Sequence, residues 1–363
     1  MQLLWIEARD FRNHRETSLQ VPPGLTAVVG PNAQGKTNLL EAVFYLCSLE
    51  SPRVRADLPL VRMGAESAFL RGEVESAAGR VLIEVEIRAS GQNRVQVNRS
   101  PVRRKRDVRR QARAVFSGPD DLSVVIGEPE HRRRFLDEAV RGLWPLKESL
   151  VTAYERALRQ RNRLLKDWEG AGAPPGLEAW DAELIGAGTA LTVARAEAVR
   201  RLSGRAAAEF ATLCGDAPDQ GTFVVEYRPS VEGEPVEEVF SNRLRERRAD
   251  EMVRRTTLVG PHRDDLGLSV QGLVARGFAS HGEGWGAALC LRLALAAAVG
   301  EEAGEPPLTL LDDPFSALDP RRRERLAASL DGRGQLLIAV PDEAQIAPGA
   351  AVWRVEGGHV DAT

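Results

Sequence analysis

The residues of this chain best suited to chemistry lie in one short segment near the amino terminus. Residues 30–37, here called the P-loop, read G-P-N-A-Q-G-K-T and match the pattern G-x-x-x-x-G-K-[ST] at every fixed position. Glycines let the backbone direct successive N–H groups at phosphate oxygens, and a following helix directs its positive end at the same anion. We therefore expect a nucleotide phosphate site, with Lys36 at the β- and γ-phosphates and the Thr37 hydroxyl on Mg²⁺.

Two adjacent carboxylates follow a second apolar segment, residues 308–311, which read L-T-L-L. Asp312 is expected to hold Mg²⁺, directly or through water. Asp313 is expected to lie nearer the γ-phosphate, where a carboxylate orients and polarises the attacking water. The alternative is an acidic turn after a core strand. Residues 316–319, S-A-L-D, follow at once.

A third segment, S-H-G-E-G at residues 280–284, precedes a long apolar helix and is here called the signature segment. Alone it is a weak signal, because a Ser or Gly before a helix is commonly a cap. The order of P-loop, signature segment, apolar strand with two aspartates and S-A-L-D resembles the layout of ABC-type ATPases. In that superfamily the signature Ser and Gly face a nucleotide bound by a second subunit, so ATP favours a dimer.

These segments define the expected site. The catalytic residues are Asp313, Lys36 and, in trans, Ser280; the nucleotide-binding residues are Gly30, Asn32, Gly35, Lys36, Thr37, Asn38 and Gly282; the metal ligands are Thr37 and Asp312. The expected cofactors are ATP and Mg²⁺.

The elements that must position these residues follow an α/β pattern. Residues 25–29 are a β-rich apolar run, and residues 38–49 follow with helical periodicity. Further strands are predicted at 69–74, 81–87, 95–97, 222–227 and 256–259. Residues 308–311 and 336–340 are continuous apolar runs, as expected for strands buried on both faces of a parallel or mixed sheet.

Between residues 130 and 213 there is no strand signal, only helical periodicity. Two apolar stripes, at 150–168 and 180–198, flank a Gly/Pro-rich breaker at 170–176, which predicts an antiparallel helical hairpin. A helix over 177–213 spans about 55 Å at about 1.5 Å per residue, which favours a projecting arm over a helical subdomain packed on the rest. The predicted fold is an α/β ABC-type P-loop ATPase head (1–121 and 217–363) with an inserted all-helical antiparallel arm (122–216).

The balance of charged residues restricts how the chain can bind nucleic acid. With 49 Lys+Arg against 52 Asp+Glu and a net charge of −3, the chain is no global polycation, but a local basic face remains open. Residues 99–113 hold eight basic residues and one acid, and further clusters lie at 132–134 and 156–166. Few aromatics accompany them, which favours backbone contact with duplex or junction DNA over base stacking. The DNA candidates are Arg103, Arg104, Arg106, Arg109 and Arg110; the alternative is a solvated face or internal ion pairs.

The cysteines and the apolar segments indicate the cellular location. The three cysteines are scattered, which indicates neither a zinc site nor a disulfide framework and favours an intracellular protein. Charges interrupt the first ten residues too early for a signal peptide. The longest nearly apolar stretch, 285–299, is interrupted by Arg292 and is shorter than a membrane span. We expect a soluble cytoplasmic protein without membrane contact.

Four further segments resemble the RecF family of bacterial recombination and repair proteins. They are F-R-N-H at 11–14, where the family has F-R-N-Y; N-x-Q-G-K-T-N-L-L-E-A at 32–42; G-x-P-x-x-R-R-x-F-L-D at 127–137; and T-L-V-G-P-H-R-D-D at 257–265. The resemblance implies a weak, DNA-stimulated ATPase that dimerises and clamps DNA on binding ATP, in repair, replication-fork maintenance and the SOS response. It also implies work with RecR and RecO in helping RecA filaments form at single-strand gaps, in a nucleoid-associated protein.

The chain also departs from the expected patterns. His281 and Glu283 stand where glutamine is commoner, no switch histidine follows residue 340, and the sensor glutamine is unassigned, with residues 117–121 in that part of the chain. Three rival interpretations remain: a transport motor, which needs a switch histidine; an SMC-type tether, which needs far longer arms; and a DNA scaffold without useful turnover. For residues 260–265, packing and ligand contact are both open.

Overall fold

The computed structural model describes residues 1–170, 172–215, 222–346 and 349–362. Ala171, in the predicted breaker, and the predicted domain boundary at residues 216 and 217 lie outside this part. The strands are β1 Gln2–Phe11, β2 His14–Gln20, β3 Leu25–Val29, β4 Ser67–Ser76, β5 Gly79–Arg88, β6 Arg94–Val97, β7 Ser100–Pro101, β8 Ala114–Ser117, β9 Phe223–Arg228, β10 Asp265–Val270, β11 Leu273–Val274, β12 Leu308–Asp312, β13 Leu336–Val340, β14 Ala351–Glu356 and β15 His359–Ala362. The helices are α1 Lys36–Ser48, α2 Lys105–Arg109, α3 Leu122–Ile126, α4 Pro129–Leu143, α5 Glu148–Asp167, α6 Leu177–Cys214, α7 Val236–Arg254, α8 Ala275–Phe278, α9 His281–Ala303 and α10 Pro320–Ser329.

The P-loop directly follows β3, an inner strand of a six-stranded sheet. Its order is β15-β14-β3-β13-β12-β8, and every pair from β14 to β8 is parallel. Every residue of β12 and of β13 is buried, as the continuous apolar runs predict. Because parallel strands end at one edge of a sheet, the P-loop after β3 and the two aspartates at the end of β12 lie at the same edge, with β13 between the two strands.

A second, antiparallel sheet covers one side of this centre. Its order is β2-β1-β4-β5-β6-β7, and α1 is buried in the apolar core that the two sheets share. β4 and β5 confirm two predicted strands, with three to four residues more than the patterns indicate. A third sheet, β11-β10-β9, joins the core on the other side, where the apolar helix α9 packs against α6.

The helical region holds two packed groups. The carboxyl-terminal half of α6 lies in the main core, with Ala198, Leu202 and Phe210 buried against α9 and the sheets. The amino-terminal half packs with α5 and α7 in a separate apolar cluster, which we call the helical cluster. Gly188 allows the close crossing of α6 and α7, since a Cβ there would lie 2.4 Å from Cε1 of Phe240. The helix α6 therefore runs from the helical cluster into the core.

One predicted strand is wrong. Residues 256–259 are irregular because side chains satisfy their backbone groups. Asn162 Oδ1 accepts from the Thr257 amide at 2.8 Å, and Glu251 Oε1 accepts from the Leu258 amide at 2.8 Å.

The helix α9 is longer than the apolar run predicts. It has 23 residues, and by length and composition it passes as a membrane span, the one such helix in the described ranges. However, 83% of its most apolar window is buried inside the protein, as in the core helix of a soluble protein.

Candidate nucleotide-binding site

The P-loop is tightly enclosed by its surroundings. A Cβ on Gly30 would lie 2.3 Å from the Val355 carbonyl oxygen, so only glycine fits against β14. Gly35 has φ 121°, a region that side chains disfavour, and it starts α1. A Cβ on Gly35 would lie 2.8 Å from Asn13 Nδ2. Both glycines of the motif are thus required by close approach.

The lysine of the P-loop is folded back onto the loop. Lys36 Nζ donates to the carbonyl oxygens of Gly30 at 2.6 Å and Pro31 at 2.9 Å, and only 8% of the residue is exposed. Burial lowers the pKa of the ammonium, while the carboxylates of Asp312 and Asp313 oppose that shift. The cation is therefore held beside two carboxylates at the start of α1.

The two predicted metal ligands are in direct contact. Thr37 Oγ1 lies 2.9 Å and 2.8 Å from the two carboxylate oxygens of Asp312. Burial raises the pKa of Asp312, and the Thr37 hydrogen bond opposes that shift. Hydroxyl and carboxylate oxygens are the ligands that Mg²⁺ prefers. The described residues contain no group of three or more His, Cys, Asp or Glu that could hold a metal, so Mg²⁺ here would take further oxygens from nucleotide and water.

Asp313 has an unusual backbone and an unused oxygen. Its φ is 50°, its amide donates to the Ala339 carbonyl at 2.9 Å, and its Oδ1 is buried without a hydrogen-bond partner among the described residues. Burial raises its pKa, with Lys36 opposing. A buried carboxylate oxygen with no protein donor is available to a water molecule or ligand.

The signature segment caps α9. The Ser280 hydroxyl accepts from the Glu283 amide at 3.3 Å, and Glu283 Oε2 accepts from the Ser280 amide at 2.9 Å, which is a capping box. Ser280 is exposed, and within the described part of the chain its side chain bonds only with Glu283. Gly282 lies against the next motif, because a Cβ there would be 3.2 Å from the Ala317 carbonyl oxygen. Ser280 thus has no bond to the P-loop of its own chain.

The sequence did not predict a set of hydrogen bonds that Asn13, Gly357 and Gly358 make to Gln34 of the P-loop, here called the brace. Asn13 Nδ2 and the Gly358 amide both donate to the Gln34 carbonyl, at 2.9 and 3.0 Å, and the Gly357 amide donates to Gln34 Oε1 at 2.7 Å. Asn38 extends this set of contacts, because its Nδ2 donates to Asn13 Oδ1 at 2.7 Å. The F-R-N-H segment was the available signal, although its spacing alone does not indicate contact with the P-loop. Asn32 itself is exposed.

The histidine of this segment joins two distant backbones. His14 Nε2 lies 3.0 Å from the Gly35 carbonyl oxygen and Nδ1 lies 2.9 Å from the Gly358 carbonyl oxygen. A neutral imidazole has one N–H, so it can donate to one of these carbonyls at a time. Burial lowers the pKa of His14, while the two backbone hydrogen bonds oppose that shift.

The predicted DNA residues separate into two groups. Arg103, Arg104 and Arg110 are exposed, and Arg106 is half-buried. Arg109 differs from the expectation: it is 7% exposed, and its guanidinium lies 2.9 Å from Glu50 Oε2 and 3.1 Å from Glu148 Oε1. It is an internal ion pair and leaves the DNA candidates.

The block at residues 260–265 has a packing role. His262 Nδ1 lies 2.6 Å from the Tyr154 hydroxyl in α5, and Asp264 accepts from Arg195 of α6 at 2.9 Å. Asp265 accepts from Arg132 Nε of α4 at 2.6 Å. Burial lowers the pKa of His262 to about 4. The block ties three helices to β10.

The chain is similar to known proteins in both sequence and structure. The family model for the RecF/RecN/SMC N terminal domain matches residues 2–357. The DNA replication and repair protein RecF of Streptomyces avermitilis is 41% identical over 99% of this chain and 100% of its own, and that of Cutibacterium acnes is 42% identical over 92% and 90%. The recombination mediator protein RecF-ATP in the RecFOR pathway has TM-score 0.90 and 27% identity over 99% of this chain and 97% of its own.

More distant structures share the fold alone. The Smc head domain of Pyrococcus furiosus has TM-score 0.57 at 15% identity, over 99% of this chain and 95% of its own. The mixed α/β head with a helical insertion is thus the fold of the ABC and SMC ATPase heads. With the full-length matches above, the chain belongs to the RecF family of DNA replication and repair proteins.

Proposed function

We propose that this chain is an ATP-dependent DNA-binding protein of recombinational repair and replication-fork maintenance, in which ATP binding drives dimerisation and DNA clamping and slow hydrolysis resets the clamp. The observation that carries the proposal is the contact of Thr37 with Asp312, beside Lys36 and the unpartnered oxygen of Asp313. This is a phosphate site with a metal edge and a carboxylate free to act on water.

The residues of the site divide the work. Lys36 exchanges its bonds to the Gly30 and Pro31 carbonyls for phosphate oxygens, and the P-loop amides stabilise the same charge. Thr37 and Asp312 would hold Mg²⁺, which would neutralise charge at the phosphates. Asp313 accepts a hydrogen bond from the attacking water and so orients it towards the γ-phosphate. Its half-buried position limits the number of waters that compete.

A second copy is proposed to complete each site. Ser280 lies exposed at the start of α9, where the positive end of the helix favours an anion. Because Ser280 is exposed and has no bond to the P-loop of its own chain, a phosphate presented by another subunit is the partner proposed for this position. Gly282 lets that phosphate approach the backbone.

The proposed partners follow from the family. The solved RecF structures belong by name to the RecFOR pathway, which supports RecR with RecO as partners and RecA loading at single-strand gaps as the outcome. Exposed Arg103, Arg104 and Arg110, with half-buried Arg106, support contact with duplex or junction DNA. We further infer weak, DNA-stimulated hydrolysis and a cytoplasmic, nucleoid-associated protein.

Light scattering on a sizing column tests the trans site. The unmutated chain is expected to elute as a monomer without nucleotide and as a dimer with ATP and Mg²⁺. Ser280→Arg is expected to bind a fluorescent ATP analogue normally yet remain monomeric, because the bulky cation blocks only the face offered to the second copy. Lys36→Arg is expected to lose nucleotide affinity first and the dimer as a consequence. An unmutated chain that stays monomeric with saturating ATP contradicts the proposal.

A further inference from the structure

A single charge interrupts the apolar helix that begins at the signature segment. Arg292 is the one charged residue between positions 284 and 300, and only 9% of it is exposed. Its Nε and Nη2 donate to the two carboxylate oxygens of Asp121 at 3.0 and 2.7 Å, and its Nη1 donates to Glu138 at 2.6 Å. Its guanidinium also lies over the Phe135 ring, 5.2 Å from the centroid. A fork fixed on three sides has one orientation.

The far end of this network lies at the metal edge. Asp121 Oδ2 also accepts from the Gly118 amide at 3.1 Å, so one carboxylate joins Arg292 to the turn that follows β8. Gly118 lies against the proposed metal ligand, since a Cβ there would be 3.6 Å from Cβ of Asp312. β8 and β12 are paired up to this point. Gly118 and Asp121 therefore form a physical connection between the strand end that carries Asp312 and Arg292.

The near end of the network sets the position of the signature segment. Arg292 lies three turns along α9 from Ser280, and Trp285 Nε1 donates to the Pro314 carbonyl at 3.0 Å, directly after Asp313. The helix α9 is thus fastened to the nucleotide edge at two points. Glu138 extends the network to the helical region, because the adjacent residue on α4, Asp137, accepts from Arg195 of α6 at 2.7 Å. The network connects the metal edge, the signature helix and the helical region.

We propose that Arg292 is a positioning residue for ATP-driven dimerisation: its fork on Asp121 and Glu138 holds α9 in the one register that presents Ser280 to the nucleotide of a second copy. The proposal rests on the trans site under Proposed function and names the residue that aligns it. Within the described residues Arg292 has no hydrogen bond to Lys36 or Thr37, so we expect it to act on assembly and turnover rather than on nucleotide binding by the monomer.

Arg292→Lys is the discriminating variant. Lysine keeps the charge between Asp121 and Glu138 but cannot make the bidentate fork. Losing one charge-assisted hydrogen bond is expected to raise the protein concentration needed for the ATP-bound dimer about tenfold. The same loss is expected to lower kcat about tenfold. Affinity of the monomer for a fluorescent ATP analogue stays within about twofold, because the P-loop contacts are untouched. Light scattering, single-turnover hydrolysis and nucleotide titration measure the three quantities.

A matched control and a milder variant keep the test independent of folding. Arg333→Lys alters another two-oxygen Arg–carboxylate pair, with Glu209, and no hydrogen bond among the described residues joins this pair to Asp121. It is expected to dimerise and hydrolyse as the unmutated chain does. Glu138→Gln keeps an acceptor oxygen for Arg292 and is expected to weaken the dimer less than Arg292→Lys, at unchanged nucleotide affinity.

The outcomes separate this inference from the trans site. If the unmutated chain dimerises with ATP while Arg292→Lys and Glu138→Gln both match it, the positioning role is wrong and the trans site stands. If Arg292→Lys loses nucleotide affinity and dimer in equal proportion, the network is structural and the role is again wrong. If the unmutated chain shows no ATP-dependent dimer, the proposed function itself fails.

Discussion

The residues of the phosphate site are hydrogen-bonded to each other and to their own loop. Lys36 is bonded to two carbonyls of its own loop, and Thr37 to Asp312. Each of these contacts has to be exchanged for a contact with phosphate or metal, so part of the binding energy goes into opening them. Asp313 Oδ1 differs, because it has no hydrogen-bond partner to give up among the described residues.

Asp313→Asn separates binding from hydrolysis. The amide keeps the shape of the side chain but lacks the negative charge, so it accepts a hydrogen bond from the attacking water only weakly. We expect the ATP-bound dimer to persist while kcat falls by about 100-fold or more, as for loss of a general base. Single-turnover hydrolysis beside light scattering measures both. Asp331→Asn, at an exposed position in the turn after α10, is the control, and a loss of dimer in Asp313→Asn contradicts the assignment.

The buried histidine of the packing block predicts a dependence of stability on pH. Burial lowers the pKa of His262 to about 4, below its usual 6.5, so the folded state prefers the neutral ring. Its contribution is complete above pH 6.5 and is lost as the pH falls from 6.5 towards 4, because the unfolded chain then binds the extra proton. The free energy of unfolding in urea should be about 1–2 kcal/mol lower at pH 5 than at pH 7 from this group.

His262→Gln removes the titrating ring and is the matched comparison. The variant should have a shallower loss of stability between pH 7 and pH 5, even though its stability at pH 7 is lower. An equally steep loss in both proteins would assign the pH dependence to other groups.

Among the elements, the helical cluster is held by a buried charge. Arg161 is fully buried, and it donates to Asp181 of α6 at 2.7 Å, to Glu251 of α7 at 2.6 Å and to Thr257 at 2.7 Å. One guanidinium on α5 therefore joins two other helices and the irregular segment after α7. Sequence reasoning placed Arg161 in a basic surface cluster, since the spacing of charges does not reveal which face of a helix is covered.

Arg161→Met should loosen the helical cluster strongly. It leaves Glu251 buried without its charge partner, and removal of one member of a buried pair costs about 3–5 kcal/mol. Thermal unfolding and limited proteolysis between α5 and α7 report the effect. Arg159→Met, two residues away on an exposed face and paired with Glu155, is the control and should cost less than about 1 kcal/mol. Equal stability of the two variants contradicts the role of Arg161.

The elements predictable from sequence are those with a strong period or a continuous apolar run. β12 and β13 follow the predicted runs closely because burial on both faces favours apolar residues along the whole strand. β1, β14 and α7 were not predicted, because mixed polarity and many arginines hide their buried faces. At the site, the motifs identify Lys36 and Asp312 through fixed spacing, whereas the brace from Asn13 and Gly358 depends on contacts that only the folded sheet creates.

For the whole molecule, the near-zero charge conceals an uneven surface. Many arginines form buried or partly buried ion pairs, for example with Asp121, Asp181 or Glu50. The arginines at the surface include the head cluster, which we define as Arg103, Arg104, Arg106 and Arg110. Burial therefore separates structural cations from cations available to a phosphate backbone.

Charge reversal of the head cluster tests DNA binding. Arg103→Glu, Arg104→Glu and Arg106→Glu together should lower the affinity for duplex DNA and reduce the slope of log K against log salt by about one for each phosphate that is no longer neutralised. A triple reversal on α5, of Arg156, Arg159 and Arg163, is the charge-matched comparison. An unchanged affinity and slope in the head variant, with weaker binding by the α5 variant, would move the DNA site to the helical cluster.

The sheet that holds the P-loop is assembled from segments far apart in the chain. β3 is flanked by β13 and β14, and the Gly357 amide, which donates to Gln34 Oε1, lies 323 residues further along. On the ribosome, the loop is therefore synthesised long before the strands that enclose it. A nascent chain leaves the exit tunnel with an unfinished ATP site, so a product that stops before β13, even one with most of the fold, should not titrate ATP or capture a full-length copy.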